Sequence, residues 1–302
     1  MSQTHAIVTE SLTKYYGAHR GIEGIDLQVR QGEVFGFLGP NGAGKTTTLR
    51  ILLDILRPTS GAARIFGLDC QKDSVAIRRR LGNIPGDIAL YDSLTGKALL
   101  GLLASFRGQE GGRRAVELAE RFDLDLGRQV RAYSRGMKQK LAIIQAFMHD
   151  PDLYLLDEPT LGLDPLMQRE FYTLLHEEHA RGKTIFLSSH ILSEVERLCQ
   201  RVAIVKEGRL LLSEDVDVLK QRKVRKLQVR LKNEVSREGL RLPGAELVRM
   251  DGREAEFLVQ GEPGELLRAL AGLPLEEVTF PEPTLEEAFL EFYEKTPEKA
   301  AV

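Results

Sequence analysis

The segment EVFGFLGPNGAGKTTTLRILLDIL, residues 33–56, leaves few options for the fold that contains it. EVFGFLG reads as a compact buried strand and KTTTLRILLDIL as a helix that RPTSG ends. Between them, Gly39 to Thr46 fits G-x-x-x-x-G-K-[ST] in the strand-to-helix setting where that pattern cradles phosphates. Gly42 and Gly44 let backbone N–H groups converge on an anion, Lys45 can reach the β- and γ-phosphates, and Thr46 offers a hydroxyl to Mg²⁺. The competing reading, an ordinary glycine-rich turn, leaves Lys-Thr at that position unexplained. Taken alone, the pattern implies a nucleoside triphosphate and no more.

Two further strand-then-helix units follow, LYLLD into PLMQREFYTLLHEEHA and TIFLSS into ILSEVERLC. This alternation predicts an α/β fold with a mainly parallel sheet covered on both faces. AIVTESLT and GIDLQV near the start read as alternating segments, and residues 93–126 carry Leu, Ala and charge at helical spacing. YSRGMKQKLAIIQAF begins another helix, with Ser134, Gly136 and three cations in its first turns, a setting that suits an anion. RVAIVKEGRLLL predicts a hairpin turning at Glu207-Gly208, and the Lys/Arg-rich DVLKQRKVRK reads as a linker. Beyond it KLQVRL, AELVRM, EAEFLVQ and LEEVTF read as strands, with PGELLRALAGL and a capped PTLEEAFLEFYEK as helices. The organisation is therefore residues 1–222 as one domain and 223–302 as a small α+β domain.

Composition narrows the class. A net charge of −2 gives no bulk reason to expect nucleic acid, and the stretch 223–302 is mildly acidic, with 12 Lys+Arg against 16 Asp+Glu. Cys70 and Cys199 form no C-x-x-C pair, which points to a reducing compartment. MSQTHAIVTES has no signal-peptide core, and no apolar run approaches a membrane span. The expectation is a cytosolic protein that docks onto a membrane.

LYLLDEP delivers Asp157 to the carboxyl end of a strand, where open α/β sheets place ligands and a carboxylate can hold the Mg²⁺ shell. Glu158 then stands where a general base could act on water attacking a γ-phosphate; the plainer reading is a strand-end acid capping the next helix. His190, ending TIFLSSH, is a lone histidine of a kind that is usually structural, but it closes the neighbouring strand.

Together these motifs resemble, in order and spacing, the nucleotide-binding subunit of an ATP-binding-cassette (ABC) transporter over residues 1–220. KYYG resembles the loop whose aromatic ring, Tyr16 with Tyr15 beside it, stacks on adenine. GPNGAGKTT, with Gly39, Pro40, Asn41, Gly42, Ala43, Gly44, Lys45, Thr46 and Thr47, stands as the Walker A loop, and YSRGM stands at the signature. LLDEP is similar to Walker B, LGLD with Asp164 to the D-loop, and His190 to the switch histidine. The resemblance implies a P-loop NTPase cassette with a helical subdomain at about 87–150, and ATP and Mg²⁺ as cofactors. It also implies catalytic roles for Glu158, His190 and Lys45, and Mg²⁺ held by Thr46 and Asp157. Two cassettes, a homodimer or a pair with a second cassette, would pack head to tail, so that Ser134 and Gly136 serve a partner's nucleotide. YSRGMKQK, ALYDSLTG and PTLEEAFLEFY most resemble stand-alone subunits of drug or polysaccharide exporters, peripheral on the cytoplasmic membrane face beside a separate integral-membrane permease. The alternatives are a soluble regulatory ABC ATPase, disfavoured by the single cassette without sustained heptads, and a non-hydrolysing module, disfavoured by Glu158 and His190.

The sequence departs from the family pattern at Arg135 and Met137, where Gly and Gln are usual, and at Gly86, where a Gln would touch Mg²⁺ and water. Asp87 is the nearest substitute at that place, its plainer reading a solvated loop acid. On the functional reading a Gln restored at position 86 would be tolerated.

Overall fold

The computed structural model describes residues 4–106, 112–221, 225–233, 235, 240–259 and 263–280. The chain divides into two compact units, Met1–Val216 and Asp217–Val302.

The first unit opens with β1 (His5–Tyr16), β2 (His19–Arg30) and β3 (Val34–Leu38), followed by α1 (Lys45–Leu52), β4 (Ser60–Ile65) and β5 (Leu68–Asp69). α2 (Ser74–Arg79), β6 (Leu81–Ile84), α3 (Gly96–Ser105), α4 (Gly112–Arg121) and α5 (Arg135–Phe147) come next. The remainder is β7 (Leu153–Asp157), α6 (Pro165–Ala180), β8 (Thr184–Ser189), α7 (Leu192–Leu198), β9 (Arg201–Lys206) and β10 (Arg209–Asp215).

Six strands form a sheet in the order β10-β9-β3-β8-β7-β6, parallel except at the β9–β10 hairpin. VFGFL, LYLLD and TIFLSS are buried at every position, as expected of parallel strands covered on both faces. The long opening segments instead make a second, wholly antiparallel sheet, β2-β1-β4-β5. α1 packs between the two, because Leu49, Ile51 and Leu52 share one core with Ile7, Ile25 and Leu27 of one sheet and Phe35, Phe37 and Leu155 of the other. Gly36 lets α7 approach β3: a Cβ there would lie 2.7 Å from Val195 Cγ1.

α3 and α4 lie within the stretch where helical spacing was read. Arg114 of α4 pairs with the buried Glu178 of α6, and Arg121 with Glu170 and Glu177 of the same helix. Tyr154 donates to the other Glu178 oxygen at 2.9 Å, so the buried acid has both a cation and a donor.

DVLKQRKVRK is not a linker throughout. Its start forms α8 (Val216–Gln221), because Val216 and Leu219 share a helical face and are buried, and its last residues begin β11 (Arg225–Leu231). The second unit adds β12 (Ala245–Asp251), β13 (Glu254–Val259), α9 (Pro263–Ala271) and β14 (Leu275–Thr279) in an antiparallel sheet ordered β12-β13-β11-β14. Its core gathers Leu227, Val229, Leu231, Phe257, Leu266 and Leu270. The predicted helix PTLEEAFLEFYEK lies outside the described residues.

Candidate functional site

The glycine-rich loop leaves β3 near the middle of the parallel sheet and enters α1. Gly42 and Gly44 hold φ of 82° and 103°, backbone that only glycine adopts freely. Gly39 has a steric reason as well, since a Cβ would fall 2.5 Å from the Val205 carbonyl. The loop closes on itself through Ala43 N–H to the Pro40 carbonyl at 3.2 Å. Lys45 is buried and donates to the carbonyls of Gly39 at 2.6 Å and Pro40 at 3.1 Å.

A pocket of about 290 Å³ opens above the loop. Asn41, Gly42, Gly44, Lys45, Thr46 and Thr47 form its floor, with Tyr16 and Glu158 among its walls. Tyr16 is 45% exposed, with the Lys14 ammonium 5.6 Å from its ring centre and its hydroxyl 3.4 Å from that of Thr47. Arg20 and Gly21 also line the pocket and were not read from the sequence. Arg20, at the start of β2, pairs with Glu23 at 3.4 Å and Glu207 at 3.7 Å and lines the pocket. No motif marks it; its proximity to KYYG was the only signal.

Three polar side chains converge at the strand ends. Glu158 Oε1 lies 3.2 Å from the Lys45 ammonium, and Oε2 lies 3.1 Å from His190 Nδ1. Glu158 has φ of 47°, a left-handed conformation costing a non-glycine residue about 1–3 kcal/mol. Hydrogen bonds from its N–H to the carbonyl and hydroxyl of Ser188, both at 3.2 Å, hold it there. The carboxylate is thus turned between a cation and an imidazole rather than capping the next helix, which Asp164 caps. An incoming phosphate anion would compete for Lys45, freeing one oxygen of Glu158 to take a proton from water.

Thr46 donates to Asp157 Oδ2 at 2.7 Å, and Ser188 donates to Oδ1. Hydroxyl and carboxylate oxygens suit a hard divalent cation. Among the described residues no group of three or more His, Cys, Asp or Glu could hold a metal alone. The fit is therefore to Mg²⁺, which takes one or two protein oxygens and completes its shell with phosphates and water.

The structure assigns Gly86 and Asp87 differently from the functional reading of that loop. Asp87 is 92% exposed and pairs with Arg50 at 3.1 Å, on the surface rather than toward Thr46 and Asp157. Gly86 itself stands over the Asp157 carboxylate, where a Cβ would lie 2.7 Å from Oδ2. A glutamine there must displace the carboxylate or the loop, so the expectation of tolerance meets a close backbone approach that sequence does not display.

Ser134, Gly136 and Asp164 do not line the pocket of their own chain. Ser134 caps α5, accepting from Met137 N–H at 3.3 Å. Gly136 abuts the loop before α6, where its Cβ would lie 2.8 Å from the Gly162 carbonyl. Asp164 caps α6, accepting from Leu166 and Met167 N–H, each at 3.0 Å. Gln139 ties α5 to the turn after β7, donating to the Pro159 carbonyl at 2.6 Å.

Comparison with known proteins agrees with this geometry. The ABC transporter family model matches residues 22–161. The bacitracin transport ATP-binding protein BcrA of Bacillus licheniformis is 37% identical over 293 residues, spanning 94% of this chain and 96% of its own. The daunorubicin/doxorubicin resistance ATP-binding protein DrrA of Streptomyces peucetius is 36% identical, over 89% and 85%. Among solved structures, an ATP-binding subunit of an ABC transporter superposes with TM-score 0.67 at 34% identity, over 72% of this chain and 92% of that one. The dimeric structure of MJ0796, a bacterial ABC transporter cassette, gives 0.64 at 25% identity, over 70% and 98%.

Proposed function

This chain belongs to the ABC transporter family of ATP-binding cassettes, and from that premise we propose that two copies close around two ATP molecules and drive a separate integral-membrane permease in export. The observation that carries the reading is the Lys45–Glu158–His190 alignment at the mouth of the phosphate loop. Adenine stacks on Tyr16, and the loop N–H groups and Lys45 take the β- and γ-phosphates; Thr46 and Asp157 would hold Mg²⁺, which would offset the charge of the phosphates. Glu158 takes a proton from water as the water oxygen bonds to γ-phosphorus. The bond to the β-phosphate oxygen breaks, ADP leaves with its electron pair, and His190 orients the base and the γ-phosphate.

In a head-to-tail homodimer the start of α5, with Ser134 and Gly136, and the Asp164 loop face the partner's nucleotide, so γ-phosphate joins the halves and its loss releases them. The membrane protein docks over the groove lined by Ile55, Arg78, Leu103, Phe106 and His149, where Ile55 and Phe106 are 65% and 76% exposed. Among the described residues no helix is long and apolar enough to cross a membrane. In this reading the permease is a separate chain, and this one sits on its cytoplasmic face. The relatives' names, bacitracin transport and daunorubicin/doxorubicin resistance, favour a drug-like cargo. Nucleic acid is not an expected partner.

The test is Glu158→Gln, which keeps every phosphate contact and removes the base. It should bind ATP, turn over at least a hundredfold more slowly, and accumulate as a dimer on size-exclusion chromatography in MgATP. Hydrolysis at the wild-type rate would refute the assignment.

A further inference from the structure

Behind the Glu158–His190 pair lies a third acid that the nucleotide site does not absorb. Glu194, in the first turn of α7, is 3% exposed although an acid at a helix start ordinarily faces solvent. Its Oε2 accepts from the Ser189 hydroxyl at 2.5 Å, and the same hydroxyl accepts from Ile191 N–H at 3.0 Å. The residues on either side of His190 are therefore fastened to each other and, through Ser189, to Glu194. The hydroxyls of Thr160 and Tyr172 are its other polar neighbours. Thr160 is itself buried and follows Glu158 by two residues. Glu194 Oε1 is buried with no partner within hydrogen-bond distance, and no Lys or Arg among the described residues pairs with the carboxyl. Burial lifts the acid above the usual carboxyl range, with the Ser189 and Thr160 hydroxyls pulling the other way.

An unpaired buried carboxyl is costly, and an apolar residue would pack here at lower cost. What the acid supplies that an apolar residue does not is an acceptor between the two segments bearing the hydrolytic pair. Ser189 ends β8 and His190 follows it, while the turn after β7 carries Glu158 and Thr160. We propose that Glu194 is a positioning residue for ATP hydrolysis, holding the Ser189 hydroxyl so that the turn presents His190 to Glu158. It touches neither nucleotide nor metal ligand and acts through His190, so the proposal rests on the reading of Glu158 and His190 as the hydrolytic pair.

The experiment compares Glu194→Leu, Glu194→Gln, Ser189→Ala and Glu158→Gln in the full chain, measuring steady-state ATPase, affinity for a fluorescent ATP analogue, and thermal unfolding. Glu194→Leu should lower kcat roughly tenfold and leave nucleotide affinity within about twofold, because Lys45 and the glycine loop keep their contacts. Glu194→Gln retains an acceptor oxygen and should restore most of the rate. Ser189→Ala breaks the same link without altering the buried acid, so it keeps the test alive if Glu194→Leu fails to fold; it too should lower kcat alone. A Leu variant that folds, binds nucleotide and keeps its kcat would overturn the proposal, as would a Gln variant as slow as Leu or an unchanged Ser189→Ala. If Glu158→Gln hydrolyses normally, the underlying reading falls; if it is inactive while Glu194→Leu and Ser189→Ala are unimpaired, only the positioning role falls.

Discussion

Replacing Gly86 by alanine puts one methyl group against the metal-side carboxylate. The added Cβ would lie 2.7 Å from Asp157 Oδ2, about 0.7 Å short of the 3.4 Å at which ordinary contact begins. Oδ2 is the oxygen that Thr46 holds at 2.7 Å, while Oδ1 is tied to Ser188, so the carboxylate cannot retreat without losing a donor. A displacement of this size exceeds the roughly 0.5 Å within which functional groups must be held. Gly86→Ala should slow turnover by about 10- to 100-fold, an added barrier of about 1.4–2.7 kcal/mol. It should also raise the Mg²⁺ concentration for half-maximal hydrolysis. ATP binding in EDTA should be unchanged, since Lys45 and its loop carbonyls lie away from the methyl group. One steady-state ATPase series titrated with Mg²⁺, beside nucleotide binding without metal, reads all three quantities. Unchanged turnover and Mg²⁺ dependence would show that the loop gives way instead of Asp157, and the close approach would explain nothing about catalysis.

Asp87→Ala should leave turnover and Mg²⁺ dependence within about twofold, because an exposed pair such as Asp87–Arg50 contributes little; a tenfold loss in the same assay would restore Asp87 to the metal site. Lys45→Ala and Ser134→Arg, each nearly inactive alone, should recover part of the activity when mixed, since a mixed dimer gathers both lesions in one pocket. No recovery at any ratio, with mixed dimers shown by pull-down, would mean that Ser134 serves its own chain. Asp164→Ala removes the acceptor for two N–H groups at the start of α6 and should cost about 1 kcal/mol in urea unfolding; an unchanged midpoint would show that the cap is dispensable.

The readable parts of this chain are those whose cause is local. LYLLD and TIFLSS advertise buried parallel strands by apolar runs, and α6 has the bounds Pro165–Ala180 because Asp164 caps it and Pro165 starts it. The antiparallel sheet was not readable, because it depends on pairings such as Ile7 with Val29 and Ile65 that no window spans. α8 was hidden by its Lys/Arg surroundings, although Val216 and Leu219 carry the helical spacing. Gly86, Arg20 and Glu194 owe their places to approaches between distant segments, and a sequence shows only their identities.

Ser134 and Asp164 present the opposite case, where the pattern says more than the fold of one chain does. As helix caps both are satisfied locally, so their contacts alone give no reason for a second copy. The start of α5 differs in its charge. Its first turn contains no acid, Arg135 pairs with no carboxylate among the described residues, and the dipole adds positive potential at the same end. Lys138 is the exception, drawn to Asp92 at 2.9 Å. In the head-to-tail pair proposed above, this end would meet the phosphates of the partner's ATP, adding an attraction that salt screens. High salt should therefore weaken ATP-dependent dimerisation more than it weakens ATP binding by the monomer.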